Sequence, residues 1–183
     1  ARLTGSTVAV VGSGPAGIAC ADELATLGYT VTIFESQSIP GGLLVNGIPA
    51  FKLEKSLVQR RFDLLRRRGV KIRLGVRVGR DISLGELRND FDAVYLGFGA
   101  QGPKALRVPG AELNGVVDAL PFLIEKNVPE SGLPPYEVEG KHVAVLGGGD
   151  TAMDCLRTAL RAGAKSVVCL YRRDEANMPG SHK

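Results

Sequence analysis

The sequence predicts an α/β fold built around parallel β-strands, and three observations support this class. A short apolar strand, a glycine-rich turn and a helix follow one another in VAVVGSGPAGIAC, residues 8–20, and the same order returns in VAVLGGGDTAMDC, residues 143–155. Each copy runs on into another apolar strand, which makes a strand–helix–strand unit with parallel strands. The chain has 183 residues, of which 44% are hydrophobic and 23% charged, as in ordinary globular proteins.

The first unit is predicted to contain a strand at residues 8–11, a helix at residues 15–27 and a strand at residues 29–34. Gly28 is typical of a helix end, because glycine adopts the left-handed conformation at little cost. A strand, a glycine turn, a helix and a second parallel strand form half of a doubly wound, Rossmann-like sheet.

A second helix is predicted at about residues 54–68, followed by an alternating strand at residues 70–78. The helix carries an apolar stripe of Leu57, Phe62 and Leu65, which is expected to face the sheet. The same pattern leaves its arginines on the opposite, solvated side.

Much of the net charge of +4 lies in this arginine-rich region. The alternation of the strand places Lys71 and Arg73 on its solvent face. The region lacks the regular alternation of arginines with stacking aromatic residues that is typical of single-stranded nucleic-acid grooves. It is therefore interpreted as a solvated or protein-facing surface, and no nucleic-acid partner is expected.

A capping box at Ser83 and Glu86 predicts the start of a short helix, and residues 93–96 predict a buried strand. Prolines and glycines then fill residues 129–140, which predicts a stiff connector between two domains. The strand–turn–helix pattern starts again at Lys141. Because the pattern occurs twice and at long spacing, it predicts two nucleotide-binding units rather than a repeat array.

The first glycine turn has the spacing of a dinucleotide cradle. Gly12 permits the tight turn out of the strand, Gly14 lets the backbone approach a pyrophosphate, and Gly17 lets the helix pack closely on the strand. Glu35 follows 23 residues after Gly12, where a carboxylate accepts hydrogen bonds from ribose hydroxyls. The turn therefore predicts a site for a dinucleotide with free ribose hydroxyls; a purely structural glycine turn is the alternative.

The second glycine turn, residues 147–152, has alanine at its third site, an accepted variant of the same packing. Its following strand ends in Arg172 and Arg173, where the first strand ended in Glu35. A guanidinium forms charge-assisted hydrogen bonds with a 2′-phosphate, whereas a carboxylate repels it. The second site is therefore predicted to prefer NADPH over NADH; the alternative is a solvated strand end.

FAD and NADPH fit this pair of sites, and together they imply hydride transfer from nicotinamide to flavin. No catalytic side chain is required and none is predicted, since His142 opens a strand and His182 lies in the last three residues. Cys20, Cys155 and Cys169 lie far apart, which excludes a Cys-x-x-Cys pair and a metal or iron–sulfur cysteine cluster made by this segment alone. They are interpreted as buried thiols.

Longer motifs extend this interpretation. They are GGLL at residues 41–44, GIPAFKL at residues 47–53, GGGDTAMDC at residues 147–155, YRR at residues 171–173 and NMPGS at residues 177–181. Over essentially the whole chain, they closely resemble the family of small (beta) subunits of NADPH-dependent glutamate synthase. They are also similar to the flavin-containing part of dihydropyrimidine dehydrogenase and to related ferredoxin:NADP oxidoreductases.

The resemblance implies a glutathione-reductase-like fold. A Rossmann-like FAD-binding domain, with three layers around a parallel sheet, would precede the start of a second Rossmann-like domain that binds NADPH. Hydride would pass from NADPH to FAD, and electrons would pass on through iron–sulfur clusters held in a region absent from this chain. In the glutamate synthase case they reach a large subunit that makes glutamate from glutamine and 2-oxoglutarate.

Carried over by position, the resemblance implies a set of cofactor-binding residues for each nucleotide. The FAD pyrophosphate would be held by Gly12, Gly14, Pro15, Ala16 and Gly17, and its ribose by Glu35. The flavin would be lined by Gly42, Leu43, Gly47 and Ile48, and the adenine would meet the backbone of Val78. The cofactor-binding set is completed by Ser13, Ser36, Gly41 and Gly99. The NADPH pyrophosphate would face Gly149, Asp150 and Thr151, and its 2′-phosphate would meet Arg172 and Arg173.

The expected organisation is an FAD-binding domain at residues 1–128, a linker at residues 129–140 and the start of an NADPH-binding domain at residues 141–183. The chain begins with Ala1 rather than Met, and it is interpreted as a fragment. The expected partners are the glutamate synthase large subunit or another electron acceptor, together with the remainder of the same polypeptide. No membrane span and no secretory signal can be read from the apolar runs, so no membrane partner is expected and the cytoplasm is the expected location.

Two other classes of function remain open at this point. One is another FAD- and NADPH-dependent enzyme, either an electron-transfer reductase of the related families or a flavin monooxygenase. The other is a nucleotide-binding scaffold without turnover. The chain also departs from the family at Phe98, because family members commonly have Ala-Thr-Gly in this segment.

Overall fold

The structure is a computed structural model that describes residues 4–100, 102 and 106–180. Ser181, His182 and Lys183 lie outside the described residues. The chain divides into a first compact unit, Ala1–Val45 with Ala50–Ala100, and a second, Asn46–Pro49 with Gln101–Lys183. This division falls after Ala100, and the assignment of residues 129–140 as an interdomain linker stays a prediction.

The elements follow the predicted alternation of strand and helix. In chain order they are β1 (Thr7–Val11), α1 (Pro15–Thr26), β2 (Thr30–Phe34), α2 (Leu43–Asn46), α3 (Lys55–Arg67), β3 (Lys71–Arg73), α4 (Leu84–Asp90), β4 (Ala93–Leu96), α5 (Ala119–Asn127), β5 (His142–Leu146), α6 (Asp150–Arg161) and β6 (Ser166–Leu170). Short 3₁₀ turns lie at Pro129–Ser131 and Glu175–Asn177. Every pairing between these strands is parallel, so the predicted α/β class is confirmed.

The first unit has a four-stranded sheet in the order β3-β2-β1-β4. Alternate side chains of β1 and β2 point to opposite faces. Val10 and Ile33 pack with α1 and α3 on one face, and Val11 and Phe34 pack with Leu87 of α4 on the other. These faces make three layers, as predicted. The strand order reverses at β1, and ligands of open α/β sheets bind at the carboxyl end of such a switch point.

The buried stripe of α3 differs from the prediction at one position. Phe62 and Leu65 are buried, as expected, but Leu57 is 53% exposed and Val58 takes its place in the core. The predicted stripe was therefore shifted by one residue at its first turn. Lys71 and Arg73 are exposed on β3, which confirms the predicted solvent face of that strand.

The predicted strand at residues 70–78 is wrong in length, because β3 ends at Arg73. Gly75 has φ +69° and donates its N–H to the carbonyl of Gln37 at 3.0 Å, which turns the chain away from the sheet. Val78 pairs only with Ile82, in an isolated bridge. The hydrophobic alternation beyond Arg73 therefore packs as a loop.

The short helix α4 begins with the predicted capping box. The Ser83 hydroxyl accepts the N–H of Glu86 at 3.1 Å, and the Glu86 carboxylate accepts the N–H of Ser83 at 2.8 Å. The strand β4 is present, but the prediction that it is buried is wrong, since Ala93, Tyr95 and Leu96 are exposed. Among the described residues β4 pairs with β1 alone, which leaves its other edge uncovered.

The second unit contains β5 and β6, which pair in parallel, with α6 between them in sequence. Its core joins Phe122 and Leu123 of α5 to Cys155 and Ala159 of α6. Tyr136, within the predicted connector, packs against this core. His142 opens β5, as predicted.

Candidate dinucleotide-binding sites

The first glycine turn leaves the end of β1, and two of its glycines are required by neighbouring backbone. Gly12 has φ +98°, and a Cβ there would lie 2.6 Å from the carbonyl oxygen of Gly97. A Cβ on Gly17 would lie 1.9 Å from the carbonyl oxygen of Gly12. The close approach of helix to strand that the sequence predicts is therefore present, and it leaves no room for any side chain.

Gly14 is different, because a Cβ there would meet nothing within 4 Å. It is the N-cap of α1, and no side chain caps this helix end. The first N–H groups of a helix have no partner within the helix and carry partial positive charge. An open, uncapped helix end beside a glycine is a fit for a pyrophosphate group.

Glu35 lies beside this turn, at the end of β2, and is 6% exposed. One carboxylate oxygen, Oε2, accepts the N–H of Ser13 at 3.0 Å and the Ser13 hydroxyl at 2.5 Å. The other, Oε1, accepts the N–H of Gln37 at 2.9 Å and the Ser36 hydroxyl at 3.2 Å. The structure thus places the predicted acid at the mouth of its own loop, held by four donors. Its contact with a ribose stays a prediction.

Ser13 is fully buried, and its hydroxyl links three segments of the first unit. It donates to Glu35 and accepts the N–H of Gly41 at 2.9 Å. Both roles of the hydroxyl are therefore taken by protein atoms, and Ser13 acts on the site through Glu35 and Gly41. Motif spacing does not reveal this link, because the glycine pattern leaves the position of Ser13 unspecified.

The turn at Gly41 and Gly42 rests on the first loop. Gly41 has φ +126°, and a Cβ there would lie 2.4 Å from Cγ2 of Val45. Gly42 has φ +52°, and its Cβ would lie 3.0 Å from Cα of Gly14. The structure therefore brings these two predicted residues next to the proposed pyrophosphate position. Leu43 begins α2 and is 38% exposed.

The remaining residues predicted for FAD belong to both compact units. Val78 is half-buried and Gly99 is exposed with φ +71°. Gly47 and Ile48 belong to the second compact unit, in which Asn127 Nδ2 donates to the carbonyl of Gly47 at 3.1 Å. Their proposed positions along the flavin stay predictions. Phe98 is 60% exposed.

The second glycine turn repeats part of the first. Gly147 has φ +136°, like Gly12 a conformation that favours glycine. Gly149 is the N-cap of α6, and a Cβ there would meet nothing within 4 Å, as at Gly14. Asp150 is the first residue of α6 and Thr151 the second, and Thr151 is exposed. An open helix N-terminus is again available for a phosphate group.

The strand register corrects one part of the sequence interpretation. Gly12 donates its N–H to the carbonyl of Phe34 at 2.8 Å, and Gly147 donates to Leu170 at 3.0 Å. The residue after each of these carbonyls is Glu35 in the first unit and Tyr171 in the second. The position of the acid is thus taken by tyrosine, and the two arginines follow it by one and two residues.

Tyr171 packs directly on the second loop. A Cβ on Gly148 would lie 2.9–3.1 Å from three carbons of the Tyr171 ring, so any side chain there would require the ring to shift. The Arg173 guanidinium lies 5.6 Å from the centroid of the same ring, within the range of a cation–π contact. Arg172 and Arg173 are exposed, and within residues 106–180 no hydrogen bond or ion pair engages Arg172. Its guanidinium donors are available to an anion.

The three cysteines are free thiols. Cys155 is buried, as predicted, whereas Cys20 and Cys169 are half-buried. Burial, with a smaller effect of the Asp154 charge, raises the pKa of the Cys155 thiol to about 12. Thiolate is the reactive form of cysteine, so Cys155 is inert near neutral pH.

Among the described residues, no group of three or more histidine, cysteine or acidic side chains is arranged to hold a metal ion. The same part of the chain contains no helix with both the length and the apolar character needed to cross a membrane.

Comparison with known proteins decides the family. A family model described as pyridine nucleotide-disulphide oxidoreductase matches residues 6–182. The chain belongs to this family. The pyridine nucleotide-disulphide oxidoreductases are thus the family within which the two glycine turns are interpreted.

Individual relatives agree with the resemblance inferred from the motifs. The chain is 48% identical to the glutamate synthase [NADPH] small chain of Escherichia coli K12, over all of this chain and 40% of that protein. It is 50% identical to the putative oxidoreductase AegA of the same organism, over 96% of this chain and 28% of that protein. The chain therefore spans less than half the length of these relatives.

A solved structure confirms the fold. Mycobacterium tuberculosis FprA in complex with NADPH superimposes with a TM-score of 0.82 over 96% of this chain and 45% of that one. The two are 23% identical, so this likeness concerns the fold alone. The predicted Rossmann-like α/β class is confirmed.

Proposed function

We propose that this chain is the nucleotide-binding part of an oxidoreductase that takes hydride from NADPH onto FAD. The observation that carries the proposal is the difference between the two loops. A buried carboxylate, Glu35, stands beside the first loop, whereas an aromatic residue and two exposed arginines stand beside the second. Such a difference selects a dinucleotide with free ribose hydroxyls at one loop and a 2′-phosphorylated one at the other.

The first loop fits FAD. The space beside Gly14 is open, the N-terminus of α1 is uncapped, and the turn at Gly42 approaches Gly14 without a side chain between them. Backbone N–H groups of the first turn would hold the pyrophosphate, and Glu35 would accept hydrogen bonds from the adenosine ribose. Ser13 would keep the Glu35 carboxylate in this position through its own hydroxyl.

The second loop fits NADPH. The open space at Gly149 and the N-terminus of α6 would receive its pyrophosphate. The exposed Arg172 and Arg173 would donate charge-assisted hydrogen bonds to the 2′-phosphate. When both are bound, NADPH supplies a hydride and FAD accepts it, and the residues of this chain bind and orient the two groups.

A role in glutamate synthesis is the more specific part of the proposal. It rests on the identity of 48% to a protein named glutamate synthase [NADPH] small chain. On this basis the electrons would pass through iron–sulfur clusters in another part of the polypeptide to a large subunit in the cytoplasm. The chain is 50% identical to a putative oxidoreductase, which favours a reductase with a different electron acceptor as the second candidate.

The test uses the full-length polypeptide that carries this segment. With an artificial electron acceptor, the protein is expected to oxidise NADPH. Without an acceptor, NADPH is expected to bleach the flavin absorbance. A purified protein that contains FAD but does not oxidise NADPH would contradict the reductase and favour the scaffold. A product hydroxylated in step with oxygen consumption would identify a monooxygenase.

A second assay separates the two reductase candidates. The full-length polypeptide is mixed with the glutamate synthase large subunit of the same organism, NADPH, glutamine and 2-oxoglutarate. Glutamate formation that depends on both proteins supports the glutamate synthase role. NADPH oxidation without glutamate formation would contradict that role but would still support a reductase that uses FAD and NADPH.

A further inference from the structure

The two units carry different residues at two equivalent positions that contact each other. Counted from the first glycine, Ser13 and Gly148 occupy the same place in their loops, and Gly14 and Gly149 are the helix N-caps that follow. Counted from the strand carbonyl that accepts the loop N–H, Glu35 and Tyr171 are equivalent. In both units the loop residue touches the residue after the strand.

The contact has a different chemistry in each unit. Ser13 reaches Glu35 with its backbone N–H and its hydroxyl, so a polar side chain in the loop holds a carboxylate. Gly148 has no side chain, and the Tyr171 ring occupies the space where one would lie. A carboxylate at residue 171 would have no hydroxyl partner in the loop, and a serine at residue 148 would collide with the ring.

Tyr171 is also held from its other side. Its hydroxyl donates to the carbonyl of Asn177 at 3.4 Å, and the N–H of Gly180 donates to the carbonyl of Gly148 at 2.9 Å. The segment after β6 therefore folds back onto the loop, and the ring contacts both. The Arg173 guanidinium lies over this fixed ring, at 5.6 Å from its centroid.

We propose that Gly148 and Tyr171 form a two-residue selector for the 2′-phosphate, as the counterpart of Ser13 and Glu35 in the first unit. The proposal rests on the proposed binding of NADPH at the second loop. Tyr171 stands where the first unit has a carboxylate, so the second site lacks the group that would accept a free 2′-hydroxyl and would repel a phosphate. The ring also positions Arg173, which binds the phosphate together with Arg172. Tyr171 is thus a positioning residue, which acts through its neighbour.

The test exchanges the pair in the full-length polypeptide. Dissociation constants for NADP⁺ and NAD⁺ are measured by calorimetry for the wild type and for the double variant Gly148→Ser/Tyr171→Glu. The double variant is expected to bind NADP⁺ at least about tenfold more weakly, since a carboxylate repels the 2′-phosphate, and to bind NAD⁺ more tightly. An unchanged ratio of the two constants would overturn the selector.

Single variants keep the test decisive if the double variant does not fold. Tyr171→Ala removes the ring beneath Arg173 and is expected to weaken NADP⁺ binding by about threefold, the value of an exposed cation–π contact, with little change for NAD⁺. Tyr171→Phe keeps the ring and loses only the hydroxyl contact to Asn177, so this conservative variant is expected to retain most of the NADP⁺ affinity that Tyr171→Ala loses. Equal NADP⁺ binding by the alanine and phenylalanine variants would contradict the positioning role. A wild type that does not prefer NADP⁺ would contradict the proposed function itself.

Discussion

The carboxylate of Glu35 accepts two hydrogen bonds from Ser13, from its N–H at 3.0 Å and from its hydroxyl at 2.5 Å. Both residues are buried, and the same hydroxyl accepts the N–H of Gly41. The first glycine loop, the end of β2 and the Gly41 turn are therefore connected through one oxygen atom. This connection is made by protein atoms alone.

Replacing Ser13 with alanine is expected to weaken both the fold and FAD binding. The change leaves the buried N–H of Gly41 without its acceptor and removes one donor from Glu35, which costs about 1–3 kcal/mol in the free energy of unfolding. Thermal unfolding of the full-length protein and FAD titration of its apo form measure the two effects.

Ser36→Ala is the matched control for this prediction. Ser36 also donates to Glu35, but it is exposed, and water replaces its hydroxyl. We expect a change of less than about 0.5 kcal/mol for this variant. Equal losses of stability for the two variants would show that the Ser13 link has no special role.

Two alanine substitutions at the first glycine turn are expected to lower FAD binding for different reasons, one through stability and the other through the binding site itself. Gly17→Ala places a Cβ 1.9 Å from the carbonyl oxygen of Gly12, which is backbone and has little freedom to move. We expect a loss of about 3 kcal/mol or more in stability, seen by chemical denaturation. The loss of FAD would then be a consequence of unfolding.

Gly14→Ala adds a Cβ that meets no atom within 4 Å, at a residue with φ −69°. We expect the free energy of unfolding of the apo protein to fall by about 1 kcal/mol at most, because alanine is a poorer helix N-cap than glycine. The methyl group would nevertheless occupy the space proposed for the pyrophosphate, so FAD affinity is expected to fall at least about tenfold. Normal FAD affinity in this variant would place the pyrophosphate elsewhere.

The buried thiol of Cys155 is expected to resist alkylation. Its pKa is raised from 9.0 to about 12 by burial, so almost no thiolate exists at pH 8 in the folded protein. Mass spectrometry after iodoacetamide treatment is expected to find Cys155 modified only when the protein is unfolded by denaturant. Rapid modification in the native state would contradict its burial.

The same pKa predicts how stability depends on pH. The folded state favours the protonated thiol, so this contribution is fully present below the ordinary pKa and is lost progressively as pH rises from about 9 towards 12. Cys155→Ala is expected to flatten the decline in unfolding free energy across this window, measured by denaturation at several pH values. If the decline in unfolding free energy is the same in Cys155→Ala, the pH dependence arises from other titratable groups.

Motif spacing was sufficient for the features that depend on local chain geometry. The turn at Gly12, the close packing at Gly17 and the capping box at Ser83 all follow from residue type at a fixed separation. Hydrophobic periodicity was not sufficient for the strand at residues 70–78, because Gly75 takes a positive φ and bonds to a loop distant in sequence. Periodicity describes which residues are apolar, not where their backbone finds partners.

The position of Tyr171 depended on strand register. Glu35 follows Gly12 by 23 residues and Tyr171 follows Gly147 by 24, and a separation known only to be near 20 residues does not distinguish Tyr171 from Arg172. The N–H of Gly147 bonding to the carbonyl of Leu170 makes the distinction. A one-residue shift in register changes which side chain stands beside the sugar.

Replacement of the two arginines tests most directly whether the second site selects its coenzyme by charge. KM values for NADPH and NADH are measured on the full-length enzyme and its Arg172→Ala/Arg173→Ala variant, with an artificial electron acceptor. Loss of charge-assisted hydrogen bonds to the 2′-phosphate is expected to raise KM for NADPH at least about tenfold and KM for NADH less than about twofold. Equal changes in the two constants would contradict recognition of the phosphate at this position.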